Sequence, residues 1–520
     1  MSAAELAVGT AAAVAHTRTL SEQLPALQVV IPLLGAVLCA LVRKGTLAWA
    51  LALAVTWVMP VIALALLWRV QASGPISYAM GGWAPPWGIE YRIDALSAFV
   101  LLLVSGVAAA MLPFARKSIA SEIDGDKQSW FYTMFLLCLT GLLGITITGD
   151  AFNAFVFLEI SSLSTYVMIA LGSDRRALLA AYQYLIMGTI GATLYVIGIG
   201  FLYTLTGTLN LADIATRLAT LGFSPPMLTA LSFLIIGISL KLALFPLHVW
   251  LPGAYAYAPS FATAFLAATA TKVAVYLLVR FLYSVFSLTT LSEPLPVFDL
   301  LLALSIAGML GASIVAVFQD DVKRLLAYSS VAQIGYIMLG VSLANGPGLT
   351  GGLVHLANHA VTKAALFLAV GAAYYRLRTV HEMAAMTSLK ITDLAGLGRQ
   401  MPWTLAVFTL GGLSIIGVPG TAGFISKWYL ALGALEKGWW WVVVVIMASS
   451  LIAVVYIGRV IEIAWFREPA GPLREAGRPH PSMIFSMALF GFAIVFFGLD
   501  TSWTAKLAVS AANMLLGLGQ

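Results

Sequence analysis

Ionisable side chains within apolar stretches are the residues of this sequence most able to carry out chemistry. The basic ones are Lys241, Lys272, Arg280, Lys363, Lys427 and Arg459. A lysine at the centre of a bilayer costs about 2.5–3.5 kcal/mol on insertion scales, so it must face the interior of a helix bundle or a hydrated cavity. Because proton relays are a common use of such groups, these residues indicate proton transfer within a membrane.

Three charged residues also have a structural interpretation. Arg280 and Arg459 lie near the ends of their apolar stretches, where a long side chain can reach the membrane interface. Glu462 lies nearer the end of a helix and one turn from Arg459, with which it could pair on a helix face. We expect these three residues to stabilise the protein.

The other charged residues lie deeper. Lys363 could be a relay group or a structural partner of nearby backbone. Lys241, Lys272 and Glu159, the one acidic residue clearly in the middle of an apolar stretch, are too central to reach the interface easily. We predict that these three residues are functional.

The composition indicates a polytopic membrane protein. Of the 520 residues, 61% are hydrophobic and only 10% are charged, whereas soluble proteins carry about 25% charged residues. This excludes a soluble enzyme, a nucleic-acid-binding protein and a disordered scaffold. The chain has 46 glycines and 14 tryptophans, which suits helix packing and interfacial anchoring in a membrane.

No cofactor or metal is expected. The two cysteines, Cys39 and Cys138, are too few for an iron–sulfur cluster or a zinc site, each of which needs about four ligands. His355 and His359 are spaced i, i+4 but lack a third ligand, so we expect one relay histidine and one packing histidine. The chain also offers no dinucleotide-binding fingerprint, which argues against its being an oxidoreductase by itself.

Each membrane crossing needs about 20 mostly apolar residues. Fourteen stretches meet this requirement, and they predict an all-α fold with these spans: 24–42, 46–68, 95–114, 130–149, 151–172, 182–206, 227–250, 260–286, 297–318, 326–344, 350–375, 402–434, 438–465 and 482–499. The segment from residue 1 to 23 lacks a basic start, so we do not expect a cleaved signal peptide.

Basic residues in the loops predict the orientation. The odd-numbered loops contain sixteen, which are Arg43, Lys44, Arg116, Lys117, Lys127, Arg175, Arg176, Lys323, Arg324, Arg376, Arg378, Lys390, Arg399, Arg467, Arg474 and Arg478. The even-numbered loops contain four, which are Arg69, Arg92, Arg217 and Lys437. Since cytoplasmic loops carry the excess of Lys and Arg, we predict that both termini lie outside.

Two predicted spans contain helix-breaking residues next to a lysine. Pro246 follows Lys241 by five residues, and Pro419 with Gly420 precedes Lys427. Interrupted helices at membrane depth occur where the freed backbone lines protein or water, and paired breaks in two halves are typical of inverted-repeat transporters. The offset from Lys241 to Lys427 is 186 residues and that from Lys272 to Arg459 is 187, although the two prolines are 173 residues apart.

Five ordered motifs carry a family resemblance. These are GDAFNAFVFLEISSLSTY, LKLALFPLHVWLPGAYAYAPS, DDVKRLLAYSSVAQIGYI, NHAVTKAALFL and GVPGTAGFISKW, which extend over most of the chain. They resemble the proton-conducting antiporter-like subunits of respiratory complex I, membrane-bound hydrogenases and Mrp-type cation/proton antiporters. The resemblance implies fourteen helices with two inverted five-helix repeats, each with one broken helix. The implied segments are 1–129 (three helices), 130–286 (first repeat), 297–465 (second repeat) and 466–520.

The resemblance also implies roles for individual residues. Glu159 resembles the carboxylate of the fifth helix, which pairs with Lys241 on the broken seventh helix. Lys272 resembles the central relay lysine, His359 resembles a histidine that links two half-channels, and Lys427 resembles the terminal lysine of the broken twelfth helix. Lys363 is a further possible relay residue.

The sequence departs from the family pattern in two places. Gln333 stands where some members carry a second relay histidine, so a bound water could bridge there instead. The run from Pro252 to Tyr255 lacks the aspartate and histidine of the commoner form, which puts proton uptake at the inner end of the seventh helix in doubt.

The length and the GTAGFISKWYL motif most resemble the D-type membrane component of an Mrp antiporter. We therefore expect a proton-translocating subunit of a multisubunit Na⁺ or K⁺/proton antiporter in a bacterial inner membrane, with other membrane subunits and the lipid bilayer as its partners. A proton-pumping subunit of a complex I-like enzyme or a membrane-bound hydrogenase is the alternative, and a purely structural scaffold is a third hypothesis. The chain has no second mid-span carboxylate, so a partner would have to supply a sodium site.

Overall fold

The structure is a computed structural model that describes residues 19–288, 291, 296–380, 388–468 and 478–518. The predicted N-terminal segment lies largely outside the described residues, as does Arg474. The first part of the bundle contains α1 (Leu24–Leu41), α2 (Gly45–Ser73), α3 (Ala95–Glu122), α4 (Gln128–Ile147), α5 (Ala151–Ala170), α6 (Arg175–Thr206), α7 (Leu211–Leu221), α8 (Pro225–Leu242), α9 (Trp250–Tyr257), α10 (Ser260–Ala268) and α11 (Ala270–Val279).

The second part of the bundle is also helical. It contains α12 (Val297–Val317), α13 (Val322–Leu343), α14 (Gly346–Val380), α15 (Pro402–Ile416), α16 (Ala422–Glu436), α17 (Trp440–Phe466), α18 (Pro481–Leu499) and α19 (Ser502–Leu516). A two-stranded antiparallel hairpin, β1 (Ile76–Ala79) and β2 (Glu90–Ile93), lies between α2 and α3. The predicted all-α polytopic fold is confirmed.

Thirteen helical segments in the described part of the chain are long and apolar enough to cross a membrane. The two halves of a broken helix, α15 and α16, together make a fourteenth crossing over the stretch predicted as 402–434. Several boundaries differ from the prediction, since α6 begins at Arg175 and α14 extends from Gly346 to Val380. The extra turns at these helix ends carry charged or small residues that a hydropathy criterion leaves out.

Contacts between the connections group them into two faces of the bundle. The basic face carries the connections α1–α2, α3–α4, α5–α6, α9–α10, α12–α13 and α17–α18, where most of the loop lysines and arginines lie. The opposite face carries the hairpin and the two short helices α7 and α19. The sequence analysis predicted neither the hairpin nor these two short helices.

Helix α14 forms the centre of the bundle. The most apolar 18-residue stretch of α14 is fully buried. The corresponding stretches of α13 and of the segment from α10 to residue 285 are almost as buried, whereas those of α1, α2, α6, α17 and α18 are mostly exposed. This central trio carries Lys272, His355, His359 and Lys363. Side chains of this kind are tolerated in a membrane when they face other helices rather than lipid.

Both predicted helix breaks are present. Helix α8 ends at Leu242, and the chain passes through an irregular segment before α9 begins at Trp250. Helix α15 ends at Ile416, and α16 begins at Ala422. The residues that follow the first half of each helix, Ala243 and Gly417, are 174 residues apart, which agrees with the proline offset and not with the lysine offset. The two lysines therefore lie on opposite sides of their breaks.

Helix α8 is held tightly against α6 by two glycines. A Cβ atom at Gly237 would lie 2.7 Å from the carbonyl oxygen of Gly191, and one at Gly191 would lie 2.9 Å from the carbonyl oxygen of Gly237. Small residues of this kind allow close helix approach in membranes. This packing fixes the last turn of α8, where Lys241 lies.

Candidate functional site

Glu159 on α5 and Lys241 in the last turn of α8 form an ion pair. Lys241 Nζ lies 3.4 Å from Glu159 Oε1 and donates a hydrogen bond of 2.7 Å to Ser162 Oγ. The Lys241 side chain is buried, whereas that of Glu159 is 24% exposed. The structure thus brings together the two residues that the resemblance paired, and the carboxylate lies on the side of the pair nearer the bundle surface.

A small cavity connects this pair to the next helix. Its volume is about 30 Å³, which is enough for one water molecule. Lys241, Ser162, Thr165 and Tyr184 line one side, and Ala270, Val273, Ala274 and Leu277 of α11 line the other. A water molecule there would have several polar partners, as a stably bound water requires.

Lys272 lies where one helix ends and the next begins. The backbone leaves helical geometry at Thr269, between α10 and α11, and Lys272 Nζ donates a hydrogen bond back to the carbonyl oxygen of Ala267 in the last turn of α10. The side chain is 1% exposed and has no carboxylate within 4.0 Å among the described residues. Its ammonium is therefore held by a helix end and not by a counter-ion.

Two histidines follow on α14. The rings of His355 and His359 are stacked, with centroids 6.1 Å apart. Both ring nitrogens of His359 are buried without a hydrogen-bond partner in the described part of the structure. His355 has two partners, since its Nδ1 lies 2.7 Å from Ser426 Oγ and its Nε2 lies 3.0 Å from Gln333 Oε1.

The i, i+4 pattern predicted one relay histidine and one packing histidine, and this division stays a prediction. Among the described residues, His355 makes hydrogen bonds to both neighbouring helices, α13 and α16, whereas neither ring nitrogen of His359 has a partner. Gln333 occupies the position at which a bridging water was expected, and it contacts His355 directly. The i, i+4 spacing alone could have placed both histidines on one helix face, although it could not identify their partners.

Lys427 on α16 is the last of these buried ionisable residues along the chain. Its Nζ donates hydrogen bonds of 2.9 Å to the carbonyl oxygens of Ile415 and Ile416, and one of 2.7 Å to Ser450 Oγ on α17. The ammonium also lies 4.6 Å from the ring centroid of Tyr336. The first two carbonyls are free because α15 stops at Ile416, so the break in the helix creates the binding site for the lysine.

Three of the five buried lysines in the described residues lie at the C-terminal end of a helix or bind such an end. Lys241 lies in the last turn of α8, Lys272 binds the end of α10, and Lys427 binds the end of α15. The last carbonyls of a helix lack intrahelical partners, and the helix dipole places partial negative charge there. The ammonium groups of Lys272 and Lys427 are thus stabilised by backbone without a full opposite charge, whereas that of Lys241 is paired with Glu159.

Lys363 is arranged differently. Its Nζ donates hydrogen bonds to the carbonyl oxygen of Leu326, at 2.8 Å, and to Ser329 Oγ, both on the continuous helix α13. The structural interpretation predicted a lysine bound to nearby backbone, and the structure contains this contact. Its role as a relay residue stays a prediction.

Arg280 has a protein partner near the end of its apolar stretch, and its position relative to the membrane interface stays a prediction. The residue is 9% exposed and forms an ion pair with Asp94, the N-cap residue of α3. Arg280 also donates hydrogen bonds to Ser97 Oγ, at 2.8 Å, and to Tyr276 Oη, at 3.0 Å. Asp94 lies 186 residues away in sequence, so a search for partners on the same helix could not find it.

Two further expectations are corrected. Arg459 pairs with Asp320 at 2.8 Å and Glu462 pairs with Arg467 at 3.0 Å, so the two do not pair with each other. Lys323, which was counted among the loop residues, is only 7% exposed. The start of α13 is buried against neighbouring connections at the basic face, and hydropathy does not reveal such burial.

No group of three or more His, Cys, Asp or Glu side chains with the arrangement of a metal site occurs within the described ranges. The buried ionisable groups Lys241, Lys272, His359, His355 and Lys427, together with the partly exposed Glu159, instead form a series on helices that contact one another. Serine, tyrosine and backbone groups fill the intervals. Such an arrangement can pass protons between neighbouring groups, with or without intervening water.

This fold and this series of buried groups define a class, the polytopic membrane proteins with broken helices and an intramembrane chain of ionisable residues. The family described as NADH:quinone oxidoreductase/Mrp antiporter, transmembrane, matches residues 148–453. The match covers more than half of the chain, and the protein belongs to this family. The resemblance seen in the five motifs is thereby confirmed.

Curated relatives and a solved structure agree with this assignment. The chain is 40% identical over 496 residues to NADH-quinone oxidoreductase subunit N of Desulforudis audaxviator, covering 92% of this chain and 96% of the relative. It is 26% identical over 491 residues to the D component of the Na⁺/H⁺ antiporter of Bacillus subtilis, covering 94% and 96%. It is also similar to a chain in the structure of the Mrp complex from Dietzia sp. DQ12-45-1b, with a TM-score of 0.86 and 25% identity, covering 96% and 98%.

Proposed function

We propose that this chain is the proton-translocating subunit of a multisubunit monovalent cation (Na⁺ or K⁺)/proton antiporter. The observation that carries the proposal is the series of ionisable side chains from Glu159 to Lys427, in which Lys241 is paired with Glu159 and Lys272 and Lys427 bind the carbonyl ends of helices. A structural scaffold would not need these groups, because each uncompensated charge in a membrane costs several kcal/mol, of the order of 2.5–3.5 on insertion scales.

The proposed mechanism begins at the Glu159–Lys241 pair. The carboxylate stabilises the ammonium while the two groups are in contact, because a nearby opposite charge favours the charged form. When the pair separates, the buried ammonium loses this stabilisation and releases its proton towards α11. Lys272, His359 and His355 pass the proton on, and Lys427 receives or releases it at the far end.

Coupling arises because neighbouring groups titrate together. A charge on Lys272 disfavours charge on the histidines and on Lys363, so a proton that arrives at one group promotes release from another. Movement of a cation elsewhere in the complex would bias the Glu159–Lys241 pair and so drive or follow the proton. Hard cations need several oxygen ligands, and we place the cation site on a partner subunit.

The proposal includes a location and an organisation. The protein would lie in a bacterial inner membrane with the basic face towards the cytoplasm and both termini outside, in keeping with the positive-inside rule. Residues 130–286 and 297–465 would form the two inverted repeats, flanked by residues 1–129 and 466–520. Other membrane subunits of the complex would cover part of the lateral surface.

The substitution Glu159→Ala tests the proposal. We expect it to reduce cation-driven proton movement in membrane vesicles at least tenfold while the amount of assembled complex stays unchanged. Glu462→Ala is the matched control, because this glutamate is half exposed and paired with Arg467 near a helix end. Wild-type transport in the Glu159→Ala complex would contradict the proposed series.

A second candidate function is a proton-pumping subunit of a complex I-like quinone oxidoreductase or a membrane-bound hydrogenase. The specific observation that favours it is the 40% identity to a quinone oxidoreductase subunit N over nearly the whole chain. Isolation of the native complex in mild detergent separates the two functions. Flavin or iron–sulfur subunits in the complex would establish the redox machine, and small membrane subunits alone would establish the antiporter.

A further inference from the structure

Two buried charged residues near the basic face lie outside the series described above. Glu122 is the last residue of α3, and Lys323 is the second residue of α13. Each is 7% exposed. Residues of opposite charge at this depth normally form a direct ion pair, yet no ion pair within 4.0 Å involves either of them in the described part of the chain.

Glu122 is held by hydrogen bonds from neutral donors. Its Oε2 accepts from the main-chain N–H of Ser260, at 2.9 Å, and from Ser260 Oγ, at 3.1 Å. Its Oε1 accepts from Ser118 Oγ at 2.8 Å. Ser260 begins α10, so the carboxylate caps the helix whose other end binds Lys272. Capping needs an acceptor oxygen and is satisfied equally by an uncharged side chain.

Lys323 lies near this carboxylate. Its Nζ donates to the carbonyl oxygen of Ala258, at 3.2 Å, and lies 5.3 Å from the ring centroid of Tyr374. Glu122 is close enough to interact electrostatically with the ammonium. A backbone carbonyl and an aromatic ring hold the charge in place, as at Lys427.

A cavity of about 20 Å³ separates the two groups. Glu122, Lys323, Asp174 and Tyr374 supply its polar walls, together with backbone of the connection from α9 to α10. The volume is sufficient for one water molecule, and the walls offer more than the two polar partners that such a water needs. The cavity adjoins the α5–α6 connection, so it lies at the edge of the basic face.

Helix α13 leads from this cavity to the centre of the bundle. Lys323 and Ser329 are six residues apart on it, a rise of about 9 Å. Ser329 Oγ and the carbonyl oxygen of Leu326 bind the ammonium of Lys363. Lys363 in turn interacts electrostatically with Lys272. One stretch of α13, from Lys323 to Ser329, therefore lies between the cavity at the basic face and the ammonium of Lys363 beside Lys272.

We propose that Glu122 and Lys323 form the site at which protons are loaded from the basic face, and that Lys363 is the junction through which they reach Lys272. This inference rests on the proposed function and names the polar groups that supply protons to the series. Glu122 takes a proton from water in the cavity, and Lys323 keeps the empty site anionic by its nearby charge. The proton then passes by way of water and Ser329 Oγ to the amine of Lys363.

Glu122 also supplies a carboxylate at an end of the bundle where the sequence lacks the expected carboxylate and imidazole. The sequence from Pro252 to Tyr255 lacks the carboxylate and imidazole expected near the inner end of the seventh crossing. Tyr255 is buried, and Gly253 carries no side chain. Glu122 reaches the adjoining start of α10 from α3, so it puts a carboxylate at the same end of the bundle from a different helix.

The test uses the complete complex in membrane vesicles with the basic face outward. Proton movement is started by a cation gradient and followed with a pH-sensitive dye, while the pH on each side is varied separately. In Glu122→Gln the amide oxygen still caps α10, but the charge is lost. We expect an initial rate at least tenfold below wild type, loss of its dependence on basic-side pH, and an unchanged amount of assembled complex. Glu122→Asp should recover part of the rate.

The basic face also contains an exposed acidic residue and an exposed basic residue that serve as controls. Asp124 and Lys127 form an exposed ion pair of 2.8 Å in the connection after Glu122. The hydrogen bond from Lys127 lowers the pKa of the Asp124 carboxyl, so this group is charged at neutral pH. Asp124→Asn and Lys127→Ala should leave rate and pH dependence unchanged, whereas Lys323→Met should behave like Glu122→Gln.

The outcomes separate this inference from the proposed function. If the wild-type complex moves no protons under any cation gradient, the proposed function fails and this inference fails with it. If the wild type moves protons and Glu122→Gln keeps its rate and basic-side pH dependence, the loading site is overturned and the proposed function stands. A slower Glu122→Gln complex with unchanged pH dependence on both sides would also overturn it, because that result indicates a capping role alone.

Discussion

Lys427 on α16 binds the carbonyl oxygen of Ile415 in the last turn of α15, with Nζ and O 2.9 Å apart. The two halves of a broken helix are therefore joined through a side chain that carries a proton. The free carbonyls favour the ammonium because the end of a helix carries partial negative charge. Any movement between the halves would change the environment of this lysine, which links helix geometry to protonation.

Loss of the Lys427 ammonium should stop transport without preventing assembly. We expect Lys427→Met to lower the rate of proton movement at least tenfold, because a thioether cannot hold an exchangeable proton. The rate is measured in membrane vesicles, with the amount of complex checked on native gels. Lys437→Met is the control, since this lysine lies at the opposite face beside Trp439. A normal rate in Lys427→Met would remove the residue from the series.

The backbone at the break should be sensitive to a single added methyl group. Gly417 has a φ of 89°, and a Cβ atom there would lie 2.9 Å from Cδ of Lys427. Gly417→Ala should displace the lysine from its carbonyls and lower the transport rate severalfold. Gly420→Ala is a close control, because Gly420 has a φ of 83° but no atom within 4 Å of the added methyl. Equal effects of the two substitutions would show that backbone strain alone is responsible.

The ion pair of Asp94 and Arg280 should matter for stability. Removing one partner of a buried pair costs about 3–5 kcal/mol, because the other charge is left uncompensated. We therefore expect Asp94→Ala to lower the Tm of the purified complex by several degrees, and Asp94→Ala with Arg280→Met to recover part of the loss. Asp213→Ala breaks an exposed pair with Arg217 on α7 and should change the Tm little. A Tm unaffected by Asp94→Ala would contradict the structural role.

His355 should be required for transport as much as the predicted His359. It contacts both Gln333 and Ser426, and so connects the centre of the bundle to the helix that carries Lys427. We expect His355→Ala to reduce the transport rate at least tenfold. His480→Ala provides the comparison, because His480 is an exposed residue that caps α18. If His355→Ala transports normally, protons reach Lys427 by another route.

Much of the fold could be read from the chain. Apolar stretches predicted the crossings, since each must satisfy its own backbone hydrogen bonds and cover itself with apolar side chains. Prolines and glycines predicted both breaks. The hairpin and the helices α7 and α19 escaped because they are short and lie outside the apolar stretches, where hydropathy carries no signal.

The candidate site could likewise be predicted only in part. Glu159, Lys241, Lys272, Lys363 and Lys427 stand out because a charged residue in an apolar stretch is rare and costly, and this is a property of each segment by itself. Their partners depend on which helices touch. Asp94 meets Arg280 across 186 residues, and Ser260 meets Glu122 across 138.

The sequence alone therefore determined that this is a membrane protein with broken helices and a small set of buried charges. Only the tertiary structure decided which buried charges are paired, which are held by helix ends, and which partners Arg280, Lys323 and His355 have. The physical reason is that hydropathy acts locally along a helix, whereas the electrostatic environment of a buried group is set by the neighbours that packing brings to it.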